Sequence, residues 1–155
     1  MIDNFKDDYA FLSNFYPSII VYNTIEYPTV EHFFQAMKTM DERVRVFIAS
    51  LQFPGQAKKA GRQVDLRCDW EDIKLKVMAF GVLQKFKTPH LRAKLIETYP
   101  HHLIEGNWWH DNIWGDCRCA KCSSTPGKNY LGQLLEKVRM SAINEQKELG
   151  PDPSF

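Results

Sequence analysis

The sequence predicts a single α+β domain that is predominantly helical and carries one small β-hairpin near its N-terminus. Apolar residues recur at helical spacing in several segments between residues 30 and 138. Two runs rich in β-branched and aromatic residues flank Asn23 and Thr24, which is typical of a hairpin. The length of 155 residues fits one domain that buries a core without disulfide or metal staples.

Composition and charge exclude several classes of protein. Twenty Lys and Arg residues against nineteen Asp and Glu give a formal net charge of +1, so no global field attracts nucleic acid or membrane. No apolar run approaches the roughly 20 residues that span a bilayer. Residues 1–8 are too acidic for a signal peptide. We therefore expect a cytoplasmic protein with no membrane partner and no obligate protein partner.

Residues 27–38 combine a strong helix start with the densest group of reactive side chains. Thr29 can cap a helix that begins at the next residue. Glu31, Gln35 and Lys38 then follow at i, i+4 and i+7, so a carboxylate, an amide and an amine share one stripe of the helix. Such a stripe can flank a small ligand. On pattern alone, a solvated helix face is the more common outcome.

The other elements follow from ordinary start and stop signals. Gly61 ends a short helix with a basic last turn, and Thr88 with Pro89 begins another helix. Predicted helices cover residues 42–51, 56–62, 69–86, 88–97 and 131–138. Short strands are expected at residues 9–17, where the strand runs into a turn, and at residues 103–106. The tail, residues 148–155, is expected to fray.

Residues 107–129 form a loop with no helical or strand period, which is long for a compact domain and typical of a functional segment. The loop contains three of the four tryptophans, and aromatic side chains crowded into a loop can stack planar rings. At its end, Gly127 and Lys128 precede the last helix. A glycine and a lysine at a helix N-terminus suit a phosphate, although the pattern is far less specific than a P-loop.

The cysteines offer a metal site as one of two interpretations. Cys117, Cys119 and Cys122 form a Cys-x-Cys-x2-Cys pattern whose second pair has zinc-knuckle spacing, but a structural zinc needs four ligands. A fourth ligand would have to come from Cys68, His110, His101 or His102. We expect no required cofactor and favour free thiols, with structural zinc as the alternative.

Six motifs together resemble the YbiA-like family, also called NADAR, in order and approximate spacing from about residue 10 to residue 139. They are LSNF at residues 12–15, PTVEHFFQAMK at 28–38, GR at 61–62, DW at 69–70, DNIWG at 111–115 and GKNYLG at 127–132. The resemblance implies one YbiA-like domain over residues 1–155, with a core of about 10–140. It also implies an N-glycosidase that acts on a ribose-to-base bond.

The resemblance implies roles for individual residues. Glu31 and Lys38 match positions that look catalytic in the family, and we add Asp111 as a third catalytic candidate. Gln35 and Gly127 are substrate-binding candidates from the residue patterns above. Further positions that look like pocket lining in the family match Ser13, Asn14, Arg62, Trp70, Asp111, Trp114 and Asn129.

Two substrate types are associated with the family: phosphoribosylated pyrimidine intermediates of riboflavin synthesis, and ADP-ribose attached to guanine. The Trp-His-Asp and cysteine-bearing loop is similar to one family branch, whereas another branch has glycines there. We expect ADP-ribosylated guanine, in nucleotide, DNA or RNA. The pyrimidine substrate and a non-catalytic module that binds ADP-ribose or NAD are alternatives. A nucleic-acid or interaction module organised by a cysteine site is a third, which the balanced charge argues against.

The chemistry of an N-glycosidase agrees with these residue types. Cleavage develops positive charge on the anomeric carbon, so the site needs a carboxylate and a means of capturing that carbon. Desolvation by neighbours such as Phe34 and Trp114 would lower the pKa of the Lys38 amine, and the neutral amine could then attack to give a ring-opened imine. Direct attack by water is the alternative mechanism.

Overall fold

The computed structural model describes residues 1–149, which divide into two compact units. The central unit is Asn14–Lys85, and the terminal unit combines Met1–Ser13 with the chain from Phe86 onward. Helices dominate and the strands of the described chain are short, which confirms the predicted α+β, predominantly helical class. The single domain over residues 1–155 stays a prediction. Among the described helices, none is long and apolar enough to cross a membrane.

The central unit is built around one short, buried helix. A hairpin of β1 (Ile20–Tyr22) and β2 (Ile25–Tyr27), paired antiparallel, confirms the predicted hairpin. The helix α1 (Val30–Ala36) follows and packs against each of the three other helices of the unit. These helices are α2 (Glu42–Ser50), α3 (Pro54–Gly61) and α4 (Trp70–Lys85).

Aromatic packing and a side-chain cap explain why α1 forms and where it begins. The Thr29 hydroxyl accepts the backbone N–H of His32 at 3.1 Å, so the predicted N-cap is confirmed. The Phe33 ring lies 5.4–5.8 Å from the rings of Tyr22, Tyr27 and Phe80. Every residue of α1 is buried. The interpretation of its polar stripe as a solvated face is therefore wrong, because α1 has no solvent-exposed face.

The terminal unit contains a 3-10 helix, two further α-helices and a pair of two-residue strands. The helix α5 (Pro89–Glu97) packs against α6 (Tyr130–Leu149), and Arg92 links them through an ion pair with Glu145 at 2.6 Å. The strands β3 (Gly106–Asn107) and β4 (Asp116–Cys117) pair in parallel. Between them, and between β4 and α6, the chain is irregular, as predicted for this loop.

Two expectations about local structure need correction, and a third stays a prediction. The predicted strand at residues 9–17 is wrong: Asp7–Leu12 is a 3-10 helix, because Phe11 and Leu12 are buried consecutively rather than alternately. The strand expected at residues 103–106 is also wrong in its bounds. Leu103 forms only an isolated β-bridge, and β3 begins at Gly106. Residues 148 and 149 of the predicted frayed tail belong to α6, and residues 150–155 lie outside the described chain, so the fraying stays a prediction.

Candidate active site

A carboxylate and an amide form a buried pair on α1. The side chain of Gln35 donates from Nε2 to Oε1 of Glu31 at 2.7 Å, as the i, i+4 spacing predicts. Glu31 is only 8% exposed and Gln35 only 4% exposed. A carboxylate at that depth is costly unless polar partners hold it, so this hydrogen bond fixes the position of Glu31. The other amide atom, Gln35 Oε1, has no hydrogen-bond partner within residues 1–149.

Lys38 lies just beyond the end of α1 and is half-buried. The helix ends at Ala36 with Met37 as its C-cap, so Lys38 is not on the helical stripe that the sequence predicted. Burial lowers the pKa of the Lys38 amine, the Glu31 carboxylate opposes this change, and the charge of Arg62 adds to it. The Nζ atom lies 5.7 Å from the centroid of the Phe34 ring. This environment enriches the neutral, nucleophilic amine.

Trp70 packs against Phe34, the aromatic residue beside Lys38. Its ring meets that of Phe34 edge to face, with centroids 5.1 Å apart. Trp70 is only 5% exposed, which leaves little of its ring for a ligand. The geometry therefore explains Trp70 as a support for the ring beside Lys38, and its predicted contact with substrate stays a prediction.

Asn14 holds the first turn of α1. Its backbone oxygen accepts the N–H of Glu31 at 3.1 Å, and its side chain donates to the sulfur of Met78 at 3.3 Å. Asn14 is buried, so the structure gives it a positioning role toward Glu31. The neighbouring candidate Ser13 is half-buried at the end of the 3-10 helix. Arg62, the C-cap of α3, is exposed.

The histidine of the same motif has a structural role. His32 is fully buried, with Nε2 2.9 Å from the backbone oxygen of Leu51 and Nδ1 2.8 Å from the hydroxyl of Thr29. Because a carbonyl only accepts, Nε2 carries the proton and Nδ1 accepts from the hydroxyl. Burial lowers the pKa of His32, so the ring stays neutral at neutral pH. Both nitrogens are therefore committed to the fold.

The Gly61→Ala substitution should disturb the Glu31–Gln35 pair, because a Cβ at position 61 would lie 1.9 Å from Gln35 Oε1. Gln35 must then move and give up its hydrogen bond to Glu31. We expect a loss of about 1–3 kcal/mol in the free energy of unfolding, as for other overpacked sites, together with lower turnover. Denaturant unfolding and steady-state kinetics measure the two effects.

The matched control is Gly55→Ala on the same helix, since a Cβ there meets nothing within 4 Å. It should leave stability and turnover close to those of the parent. Equal behaviour of the two variants would show that Gln35 accommodates the methyl group without moving from Glu31.

In the terminal unit, the carboxylate of Asp111 is occupied by the loop backbone. Its Oδ1 accepts the N–H groups of Ile113 at 3.1 Å and Trp114 at 2.9 Å. This is an Asx-type turn, in which a short acidic side chain replaces a backbone acceptor. The geometry supports Asp111 as a residue that positions Trp114, and its catalytic role stays a prediction.

Asn107 organises the same loop, a role that the sequence patterns did not predict. It is 1% exposed, its Nδ2 donates to the backbone oxygen of Asp111 at 2.7 Å, and its Oδ1 accepts the N–H of Asp111 at 3.1 Å. The only available signal was an asparagine that directly precedes two tryptophans. Asparagine is common in loops, so this signal alone could not single it out.

The predicted phosphate contact at the start of α6 is not supported, because its backbone N–H groups are already used. The N–H of Gly127 donates to Asp116 Oδ1 at 2.6 Å, and that of Lys128 donates to the backbone oxygen of Asn112 at 2.9 Å. A Cβ at position 127 would also lie 2.3 Å from the oxygen of Gly115. Gly127 is therefore needed for close packing of the loop, and its predicted contact with substrate stays a prediction.

The side chain of Asn129 is likewise committed to the fold. Its Oδ1 accepts the N–H of Glu105 at 3.0 Å, and its Nδ2 donates to the backbone oxygen of Leu103 at 2.9 Å. Gly132 allows this approach, because a Cβ there would lie 2.1 Å from the Leu103 oxygen. The GKNYLG motif thus joins the start of α6 to the segment before β3, and this packing accounts for Asn129.

Four side chains that can bind a metal also meet in this loop. The ligand atoms of His110, Cys117, Cys119 and Cys122 all lie within 4.8 Å of one another. His110 is one of the candidates for a fourth ligand, and the fold places it beside the three cysteines. Cys68, in the central unit, is an exposed free thiol.

Comparisons with known proteins agree on one family. The family model described as the NADAR domain matches residues 2–142. The N-glycosidase YbiA of Escherichia coli is 39% identical over 137 residues, which cover 86% of this chain and 82% of YbiA. An N-glycosidase of Nostoc punctiforme is 35% identical, over 88% of this chain and 87% of that protein. A riboflavin biosynthesis protein of Vibrio vulnificus is 34% identical, over 86% of this chain but only 35% of that protein.

A solved structure supports the same relationship. The NMR structure of Escherichia coli YbiA superposes with a TM-score of 0.80 at 34% identity, over 100% of this chain and 93% of that chain. Similarity of this extent covers the fold as well as the motifs, and it agrees with the mainly helical architecture described above.

Proposed function

Because this chain belongs to the NADAR domain family, we propose that it is an N-glycosidase that hydrolyses the bond between ADP-ribose and a guanine base. Relatives named N-glycosidases, each covered over most of its length, support the reaction class. One observation of the structure carries the proposal further: the half-buried Lys38 follows directly after the helix that bears the buried Glu31, and the Glu31 carboxylate raises the pKa of the Lys38 amine. A nucleophile and an acid–base group in one small region are what such a reaction needs.

The proposed reaction begins with attack by the neutral Lys38 amine on the anomeric carbon. A bond forms between Nζ and that carbon, and the bond to the base breaks with its electron pair passing to the base nitrogen, which takes up a proton. The carbon–oxygen bond of the ribose ring then opens, its oxygen gains a proton, and an imine results. Water adds to the imine, the amine leaves, and free ADP-ribose is released. The net change is hydrolysis.

Glu31 is the group that can move the protons in these steps. Its carboxylate is held by Gln35 at 2.7 Å and so has a defined position. A buried carboxylate can stabilise positive charge as it develops on the sugar, and can relay the proton that the attacking amine loses. Both functions require that the Glu31 carboxylate is ionised at the start of the catalytic cycle.

A second substrate class is favoured by one comparison. The relative from Vibrio vulnificus is named a riboflavin biosynthesis protein, and this chain matches 35% of its length. A phosphoribosylated pyrimidine carries the same type of ribose-to-base bond, so the same amine and carboxylate could cleave it. The substrate assay below distinguishes the two classes.

The deciding assay incubates the purified chain with ADP-ribosylated guanosine and, separately, with a ribosylaminopyrimidine phosphate, and follows the released sugar. Faster release from the guanosine substrate supports the proposal. Release only from the pyrimidine substrate would assign the chain to the riboflavin type. Tight binding of ADP-ribose without release from either substrate would identify a binding module instead.

The pH profile should report the amine of Lys38. The neutral amine predominates above its pKa, so turnover should fall as the pH decreases through that value. Lys58 is one of the charges that lower the pKa of Lys38. In Lys58→Gln this pKa should rise, and the acid limb of the profile should move to higher pH.

Lys59 provides the control, since it is exposed and adjacent to Lys58 on α3. Lys59→Gln should leave the acid limb in place. Identical shifts in both variants would point to a general change in surface charge, and no shift in either would remove Lys38 as the titrating group.

A further inference from the structure

We propose that His110, Cys117, Cys119 and Cys122 bind one structural Zn²⁺ ion. The proposal rests on the placement of these four side chains within the terminal unit and does not depend on the glycosidase reaction. It reverses the preference for free thiols that the sequence alone favoured, because the fold provides the fourth ligand that the cysteine spacing lacked.

The distances between the ligand atoms suit a tetrahedral metal. Ligands at zinc distances of about 2.0–2.3 Å lie roughly 3.5–3.8 Å from one another. Here His110 Nδ1 lies 3.2 Å from the sulfur of Cys119 and 3.4 Å from that of Cys122. All four ligand atoms are within 4.8 Å of each other, so one ion can reach them with small adjustments.

The kind of ligand selects the metal. Three thiolates and one imidazole are soft or borderline donors, which favour zinc over magnesium or calcium. Four protein ligands also complete a tetrahedral shell and leave no position for a water or a substrate. The site is therefore structural, in contrast to a catalytic zinc, which keeps one position open.

Hydrogen bonds of the loop backbone arrange the ligands. The N–H of Cys122 donates to the backbone oxygen of Cys119 at 3.0 Å, which makes the tight turn of the Cys-x2-Cys pair. Asn112 Oδ1 accepts the N–H of Cys117 at 2.9 Å. His110 has a φ of 67°, a left-handed conformation that turns the chain beside the cysteines.

The position of the site in the loop explains what the ion would do. His110 immediately precedes Asp111, whose carboxylate holds Trp114 by its backbone N–H. Cys117 ends β4, just after this turn. The ion would thus clamp both ends of the 110–117 segment and connect it to the 119–122 turn. A loop with little regular structure gains a rigid core in this way.

Metal content and cobalt substitution test the proposal directly. Protein purified under reducing conditions without added metal should contain close to one zinc per chain. Replacement by Co²⁺ should give the intense absorption of tetrahedral cobalt with thiolate ligands. Cys119→Ser should lose most of both signals, whereas Cys68→Ser, which alters the exposed thiol outside the cluster, should keep them. Chelation should lower the Tm of the parent and of Cys68→Ser.

The cobalt spectrum of the parent chain needs no variant, so the test holds even if Cys119→Ser fails to fold. Absence of zinc in the reduced parent, together with no tetrahedral cobalt spectrum, would overturn the proposal. A zinc content that is equal in the parent and in a folded Cys119→Ser variant would overturn it as well, because the metal would then lie elsewhere.

Discussion

Lys38→Arg should lower turnover by at least about 1,000-fold, as expected when a covalent nucleophile is removed. A guanidinium remains protonated at any pH used for assay and cannot attack the anomeric carbon. It keeps the positive charge and can keep the contact with the face of Phe34, so the fold should survive. Single-turnover kinetics with the preferred substrate measure the loss, and the Tm reports the fold.

The control for this substitution is Lys59→Arg, which changes an exposed lysine of α3 in the same way. It should retain full turnover. If Lys38→Arg kept turnover near that of the control, the amine would not be the nucleophile, and a water molecule activated by Glu31 would become the favoured mechanism.

Glu31→Gln should lower kcat by about 100- to 10,000-fold, the usual effect of removing a general acid–base group. The new amide oxygen can still accept the hydrogen bond that Gln35 donates at 2.7 Å, so the packing of α1 should persist. The carboxylate also raises the pKa of Lys38. Its removal should therefore move the acid limb of the residual activity to lower pH.

A surface carboxylate of the same unit serves as the control. Glu26 is exposed on β2, and Glu26→Gln should change neither kcat nor the pH profile. Full activity in Glu31→Gln would remove this carboxylate from the reaction. A variant with a normal kcat and a raised KM would instead place Glu31 in substrate binding.

The parts of this fold that the sequence predicts are those set by neighbours in the chain. The cap at Thr29 and the Glu31–Gln35 hydrogen bond depend on spacings of three and four residues, so helix geometry alone specifies them. The hairpin follows in the same way from short β-rich runs on either side of a turn. The family motifs added candidate residues, but not their surroundings.

The rest depends on contacts between residues far apart in sequence. The approach of Gly61 to Gln35 involves two helices, and no local pattern reports it. The distance of His110 from the cysteines depends on the path of an irregular loop, whose backbone follows side-chain acceptors such as Asn112 rather than a repeat. For the same reason, the backbone groups at Gly127 look available in the sequence and are occupied in the fold.

Borohydride trapping tests the central claim most directly, because only a covalent imine can be reduced to a stable amine. The chain is incubated with ADP-ribosylated guanosine in the presence of borohydride and is then digested. The masses of the resulting peptides are measured by mass spectrometry. The imine mechanism predicts a peptide in which Lys38 carries the reduced ADP-ribose. The Lys38→Arg variant should yield no such modified peptide. Continued sugar release with no modified peptide would contradict the account.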